Sequence, residues 1–376
     1  MEAFKVTLEV APTVTPPGIP VVAGKDSASF DVNVDGQNSG ALVKVELFIG
    51  KKLTDVKMYH NVTELKKRQS KVDFVDDDRE WFYDDATGIV TFVSDEFSSF
   101  TAVYDNIFAG GSGTEDDPYL IATKEQFANI NNLTGMKNGV PYWFEQTANL
   151  EVNTTINFIS GGYDGGGYTI SSNVLPAREN YNKLFFRSTG HVIIENMNVK
   201  MDEVATVVLF RTDLGTAYGA DFKNIDFGYK ADSEGETIIV DNTNIGLVTT
   251  NVIWTVGADE VEYNFEGITN NVDITNKGTY TGFIIGSGPH PKVKTTFNFK
   301  NCINYGNITG TTYVGYLYGN PDFLDDVSAT DSKITVDNCV NNGTFKATGS
   351  CCEFAPKLDF SPSATGTGEF ISGANN

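Results

Sequence analysis

Histidine and cysteine are scarce in this sequence, and its runs of basic residues are short. Its 376 residues include 3 histidines (His60, His191, His290) and 4 cysteines. No two histidines are close in the chain, which removes the common zinc spacings. Four cysteines in a chain this long do not make a disulfide scaffold. No apolar run approaches the ~20 residues that a membrane-crossing helix needs. No basic run exceeds Lys66-Lys67-Arg68, and the formal net charge is −22. Such a chain repels phosphate backbones and anionic lipid, so nucleic acid and membrane surfaces are disfavoured as partners. Gly-x-x-x-x-Gly-Lys, Gly-x-Ser-x-Gly and a strand-linked Gly-x-Gly-x-x-Gly are all missing. No cofactor is therefore expected. The start, Met1-Glu-Ala-Phe-Lys5, is strand-like and lacks both the basic and the apolar region of a signal peptide. The sequence is expected to be a piece of a longer protein, extracellular or at the cell surface.

What is present is a supply of apolar residues in short alternating runs, 40% of the chain, with 37 glycines between them. Phe4–Val10, Ala28–Val34 and Val43–Ile49 each place apolar and polar residues on opposite faces, the pattern of a half-buried antiparallel strand. Tyr83-Asp-Asp-Ala-Thr-Gly88 followed by Ile89–Val93 reads as a hairpin. About seven or eight such strands in about 100 residues predict an immunoglobulin-like sandwich. Asn106 to Gly113 is a Gly-rich joint. The expected domains are thus 1–106 and 107–376.

The second part repeats. Ile194-Glu-Asn-Met-Asn198, Phe222-Lys-Asn-Ile-Asp226, Phe265-Glu-Gly-Ile-Thr269, Phe299-Lys-Asn-Cys-Ile303 and Val336-Asp-Asn-Cys-Val340 align without gaps, at spacings of 28, 43, 34 and 37 residues. The first column (Ile194, Phe222, Phe265, Phe299, Val336) is apolar and the second charged. The third is Asn196, Asn224, Asn301 and Asn338, with Gly267 in the remaining copy. A second motif interleaves: Leu184-Phe185, Val208-Leu209, Gly246-Leu-Val248, Gly282-Phe-Ile-Ile-Gly286 and Gly315-Tyr-Leu-Tyr-Gly319. Fixed motifs at variable spacing are what a β-solenoid produces, because rungs must stack in register while loops vary freely. Columns then become ladders ~4.8 Å apart. The asparagines are expected at a bend between strands, where Asn and Gly both tolerate left-handed backbone angles, with their side chains turned inward to satisfy backbone groups. Thr123 with Gln126 has capping-box spacing, and Phe127, Ile130 and Leu133 share a helical face. A short helix there is expected to cap the first rung.

Gly111-Ser-Gly-Thr-Glu-Asp-Asp-Pro-Tyr-Leu-Ile121 resembles the lead-in of bacterial cell-surface right-handed β-helix domains. Tyr163-Asp-Gly-Gly-Gly-Tyr-Thr-Ile170 is similar to the rung that follows it there, and the Gly246, Gly282 and Gly315 segments resemble the GLUG repeat of that family. Phe97–Tyr104 resembles the last strand of their Ig-like modules. The resemblance spans about residues 110–350 and departs at Lys183 and Val207, where the repeat's first Gly is missing. It implies an all-β chain: an N-terminal Ig-like β-sandwich followed by a right-handed parallel β-helix. The role it implies is non-enzymatic and adhesin-like: a monomer that projects a rigid solenoid towards an extracellular glycan or a host surface protein. The alternative is a β-helix polysaccharide lyase or glycoside hydrolase. Of pectin-type machinery only Thr189-Gly190-His191 is present, and Val192 breaks the Gly-His-Gly pattern.

Few candidate sites stand out on that frame. Trp81-Phe82-Tyr83 and Tyr142-Trp143-Phe144 make Trp81, Tyr83, Tyr142 and Trp143 candidate glycan contacts, although strand alternation favours core packing for them. Asp76-Asp77-Asp78 with Asp84-Asp85 is the densest carboxylate cluster; the reading favoured is a solvated loop rather than a Ca²⁺ site. Cys302 and Cys339 share a core column and are expected to be reduced, as are the vicinal Cys351 and Cys352. The sequons at Asn61, Asn132, Asn153, Asn307 and Asn342 mean secretion only in a glycosylating host.

Overall fold

A computed structural model describes residues 7–13, 15–22, 24–35, 43–69, 80–95, 97–133, 141–172, 183–201, 207–212, 218–231, 235–240, 244–251, 260–287, 294–317, 319, 333–347 and 371–372. The Asp76–Asp78 cluster, Cys351, Cys352 and His290 lie outside the described residues. The chain forms two compact units, one of Met1–Tyr119 with Asn129–Tyr142, the other of Leu120–Ala128 with Trp143–Asn376.

The first unit has two sheets. One runs in the order Thr7–Thr13, Lys25–Asp35, Ser99–Asp105, Lys57–His60, Thr63–Glu64, with every pair antiparallel. The other runs Val43–Phe48, Ile89–Ser94, Glu80–Asp84, Lys66–Lys67, the last pair being parallel. The predicted hairpin is present: the Asp84 carboxylate accepts from the amide of Ala86 at 3.1 Å and closes the turn into Ile89–Ser94. The sheets bury one core, with Val32, Met58, Phe100 and Tyr104 from the first sheet and Val45, Leu47, Trp81 and Phe92 from the second. Phe92 and Phe100 meet there with ring centroids 4.4 Å apart.

The second unit is built from parallel pairs in chain order. Ile156–Asp164, Lys183–Met201, Ala220–Tyr229 and Glu260–Asn270 follow one another, and the path continues through Ile303–Asn304 and Val340–Asn341. Lys294–Lys300 and Lys333–Asp337 extend it alongside. Two further parallel sheets step through the same repeats. One is Ile238–Val240, Ile274–Asn276, Ile308–Gly310, Phe345–Ala347; the other is Asn244–Gly246, Tyr280–Gly282, Tyr313–Gly315. The chain is all-β apart from one short α-helix among the described residues, and its largest sheet is dominated by parallel pairing.

Register explains the sequence columns. Tyr163, Ile194, Phe222, Phe265, Phe299 and Val336 are successive partners, and all are buried. Identical residues at identical positions put like rings face to face: Phe222–Phe265 at 5.3 Å and 11°, Phe265–Phe299 at 5.0 Å and 9°. Each such ring adds ~1.5–3 kcal/mol of burial and the extra attraction of offset stacking. Gly246, Gly282 and Gly315 are register partners too, followed by the buried Leu247, Phe283 and Tyr316.

The predicted capping box is formed. The Thr123 hydroxyl accepts from the Gln126 amide at 3.2 Å, and the Gln126 side-chain oxygen accepts from the Thr123 amide at 3.2 Å. The helix covers Lys124–Asn129, shorter than the predicted stretch because Ile130–Asn132 tightens to a 3-10 turn. Phe127 packs edge-on against Tyr163 and Phe186, at 6.0 and 5.7 Å. Among the described residues no helix is long and apolar enough to cross a membrane.

Candidate functional site

The aromatic candidates come apart. Trp81 is 1% exposed and Tyr83 8%. The Trp81 indole donates to the Leu65 carbonyl at 3.1 Å, and the Tyr83 hydroxyl donates to the Gly50 carbonyl at 2.7 Å. Both belong to the first unit's core and present no ring face to a sugar, which corrects their candidacy; alternation turned the outer two of the triplet inward. Tyr142 is half-buried and stacked 6.0 Å from Tyr119. Burial, with the Asp26 carboxylate as a smaller contribution, holds its phenol above the usual range. Trp143 is half-buried with its ring lying on Gly162, where a Cβ would come within 2.1 Å of the indole.

The asparagine column holds one expectation and overturns another. Asn196, Asn224, Asn301 and Asn338 have φ of 53°, 52°, 54° and 49°, and Gly267 has 66°, so the left-handed bend is real at all five copies. The side chains do not turn inward. Asn224 and Asn338 are exposed, Asn196 and Asn301 half-buried. They bond to one another instead of to core backbone: Asn224 donates to Asn196 at 3.0 Å and Asn338 to Asn301 at 2.8 Å. The physical reason is the bend itself. The left-handed residue points outward, and alternation restarts after it with Cys302 inward, Ile303 outward and Asn304 inward.

The buried amide ladder therefore lies three residues later. Asn270 and Asn304 are both 0% exposed. Asn270 donates to Asn304 at 2.7 Å, and Asn304 to Asn341 at 2.8 Å. Each also closes its own turn, onto the carbonyls of Val272, Gly306 and Gly343 at 3.0, 2.8 and 2.9 Å. Asn301-Cys-Ile-Asn304 and Asn338-Cys-Val-Asn341 carried that signal in plain sight. Cys302 and Cys339 are buried free thiols, bonded to the Lys300 and Asp337 carbonyls at 3.5 Å. Burial pushes the Cys302 thiol well up.

The outward charged column runs Asp164, Glu195, Lys223, Glu266, Lys300, Asp337. From Lys223 onward its signs alternate, and Lys300 pairs with Glu266 at 2.8 Å. At the other end they do not: Asp164 and Glu195 are like-charged neighbours. Asp221, one column over, adds a third carboxylate. It accepts from Asn264 at 2.7 Å and lies 3.8 Å from the His191 ring nitrogen. Glu195 is half-buried. Burial first, then Asp164 and Asp221, hold its carboxyl above the ordinary range against the pull of Lys223. A carboxyl that burial and neighbouring acidic side chains make harder to ionise is an arrangement acid–base chemistry uses. Asp164 escapes notice in the sequence because its segment, Tyr163-Asp-Gly-Gly-Gly, lacks the motif's Asn. Among the described residues no three His, Cys, Asp or Glu side chains come together to hold a metal ion.

Set against known protein families, curated proteins and solved structures, the chain matches none of them.

Proposed function

We propose that this chain is a non-enzymatic, adhesin-like segment of a secreted or surface-anchored bacterial protein. In this reading the first unit is an immunoglobulin-like sandwich and the second a right-handed parallel β-helix. It works as a monomer, holding a stiff lateral surface out to an extracellular glycan or a host surface protein. One observation carries the reading: six strands keep a single register from Tyr163 to Val336 while the loops between them vary from repeat to repeat. Stacks of this kind are stiff because each repeat is held on both sides by its neighbours. The outward face, with its alternating charges and amide ladders, is a polar surface suited to hydroxyl-rich ligands. A glycan array with the purified chain tests this. Retention of defined glycans without their cleavage is the expected result; cleavage of the bound glycan overturns it.

A second reading, a polysaccharide-degrading enzyme, is favoured by Asp164, Glu195 and Asp221. There Glu195 would act as general acid and Asp164 or Asp221 as its partner carboxylate, as glycoside hydrolysis requires. Release of new reducing ends that vanishes in Glu195→Gln supports this reading. Release that survives the substitution removes Glu195 from it.

A further inference from the structure

The Gly-rich stretch that reads as a linker is folded onto the first unit. Asn106 opens it with two bonds, donating from its amide group to the Gly111 carbonyl at 3.0 Å and accepting from the Phe108 amide at 2.9 Å. The amides of Ser112 and Gly113 both donate to the Asp117 carbonyl, at 3.0 and 2.9 Å. Gly113 (φ 80°) lies so close to the Tyr119 ring that a Cβ would be 2.3 Å from it. Phe108 is buried and stacked on Tyr119 at 4.4 Å. Asn129 holds the Ile107 carbonyl at 3.0 Å. At the far end the Tyr119 hydroxyl donates to the Asp26 carboxylate, 93 residues back in the chain. Tyr119 and Asp26 are 2% and 6% exposed.

We propose that Tyr119 and Asp26 form a latch that holds residues 106–119 shut as a strap on the first unit. Asp26 sits at the start of the strand Lys25–Asp35, and its other oxygen accepts from the Ser27 amide at 2.7 Å. A buried carboxylate is costly unless its lone pairs are met, so lifting Tyr119 forfeits a charge-assisted hydrogen bond and uncovers Phe108 together. The strap therefore opens as a whole.

Hydrogen exchange on the full chain, read by mass spectrometry, tests the latch. In the wild type the amides of 106–119 are expected to be protected. Tyr119→Phe should accelerate their exchange roughly tenfold or more, the equivalent of one lost charge-assisted bond, while Lys57–His60 keeps its rate. Wild-type amides that exchange as in a free peptide, or a strap unmoved by Tyr119→Phe, overturn the proposal. Should Tyr119→Phe loosen the whole unit, Gly113→Ala decides. It forces Gly113 and the Tyr119 ring apart while itself lying outside every strand, so proteolysis within 106–119 is expected, with the protected core of the sheets retained. A strap still resistant in Gly113→Ala overturns the latch.

Discussion

The two units solve the same problem, burying apolar side chains between strands, by opposite means. In the first unit unlike residues meet. Trp81, Phe92, Phe100 and Met58 fit together across two sheets whose strands come from distant parts of the chain. In the second, like stacks on like, and the contact that matters is always with the same position one repeat away. A jigsaw core is cooperative and its pieces are interchangeable only together. A stacked column is nearly one-dimensional, so damage should stay near its origin.

The largest effect separates the units on that ground. Trp81→Ala and Phe265→Ala should each cost about 3–5 kcal/mol, as for fully buried aromatics. Hydrogen exchange should then show the whole first unit loosened by Trp81→Ala. After Phe265→Ala the loosening should be confined to Ala220–Tyr229, Glu260–Asn270 and Lys294–Lys300. Equal spread in both would erase the contrast.

Two substitutions within the stack sharpen it. Asn304→Leu should lose about 1–3 kcal/mol although it adds apolar volume, because it strands the buried Asn270 amide on one side and the half-buried Asn341 amide on the other. Asn301→Leu, whose side chain is on the outer ladder, should lose less in the same denaturant titration. At the bend, Gly267→Val should cost about 1–3 kcal/mol for a β-branched residue at positive φ. Gly267→Asn should stay within about 0.5 kcal/mol, since it restores the residue used by the other four copies. Identical melting curves for the two Gly267 variants would mean that the bend is not what selects the residue.

Acid should move the units in opposite directions. Hydrogen bonds from Lys66 and Arg68 hold the Glu80 carboxyl down at about 2 from an ordinary 4.5. Its stabilisation is complete above about pH 4.5 and is lost as pH falls through about 2. The Glu195 carboxyl is held up, so its ionisation opposes the fold at neutral pH and protonation on acidification relieves the second unit. Following each unit by its own exchange-protected strands, Glu80→Gln should flatten the first trend and Glu195→Gln the second. The smallest effect is Lys300→Ala, expected to cost under about 0.5 kcal/mol because the residue is exposed and its pair with Glu266 is a surface one.

Repetition makes the second unit legible. Phe222, Phe265 and Phe299 align by residue type and neighbours alone, and Gly267 among four asparagines points to a left-handed bend because those two residue types share that freedom. Recurrence alone does not say which way the column faces. Asn301 and Asn304 recur equally well, and only the turn of the backbone at Asn301 sends one outward and the other into the core. The first unit is less legible. Alternation marks Trp81 and Tyr83 as one face of a strand and Phe82 as the other, but which face is covered depends on a sheet formed elsewhere in the chain.

What the sequence determined by itself is everything that a short-range rule or a repeat can carry. That includes the hairpin at Asp84, the capping box of Thr123 and Gln126, and the inward phenylalanines. Tertiary structure decided what depends on residues with no sequence relation to one another. Asp26 and Tyr119 are 93 residues apart and share no motif; Asp164, Glu195 and Asp221 come together only because parallel strands bring one outward face of three repeats into register. Burial and charge act through distance in space, and where no repeat translates chain position into space, only the folded chain brings such groups together.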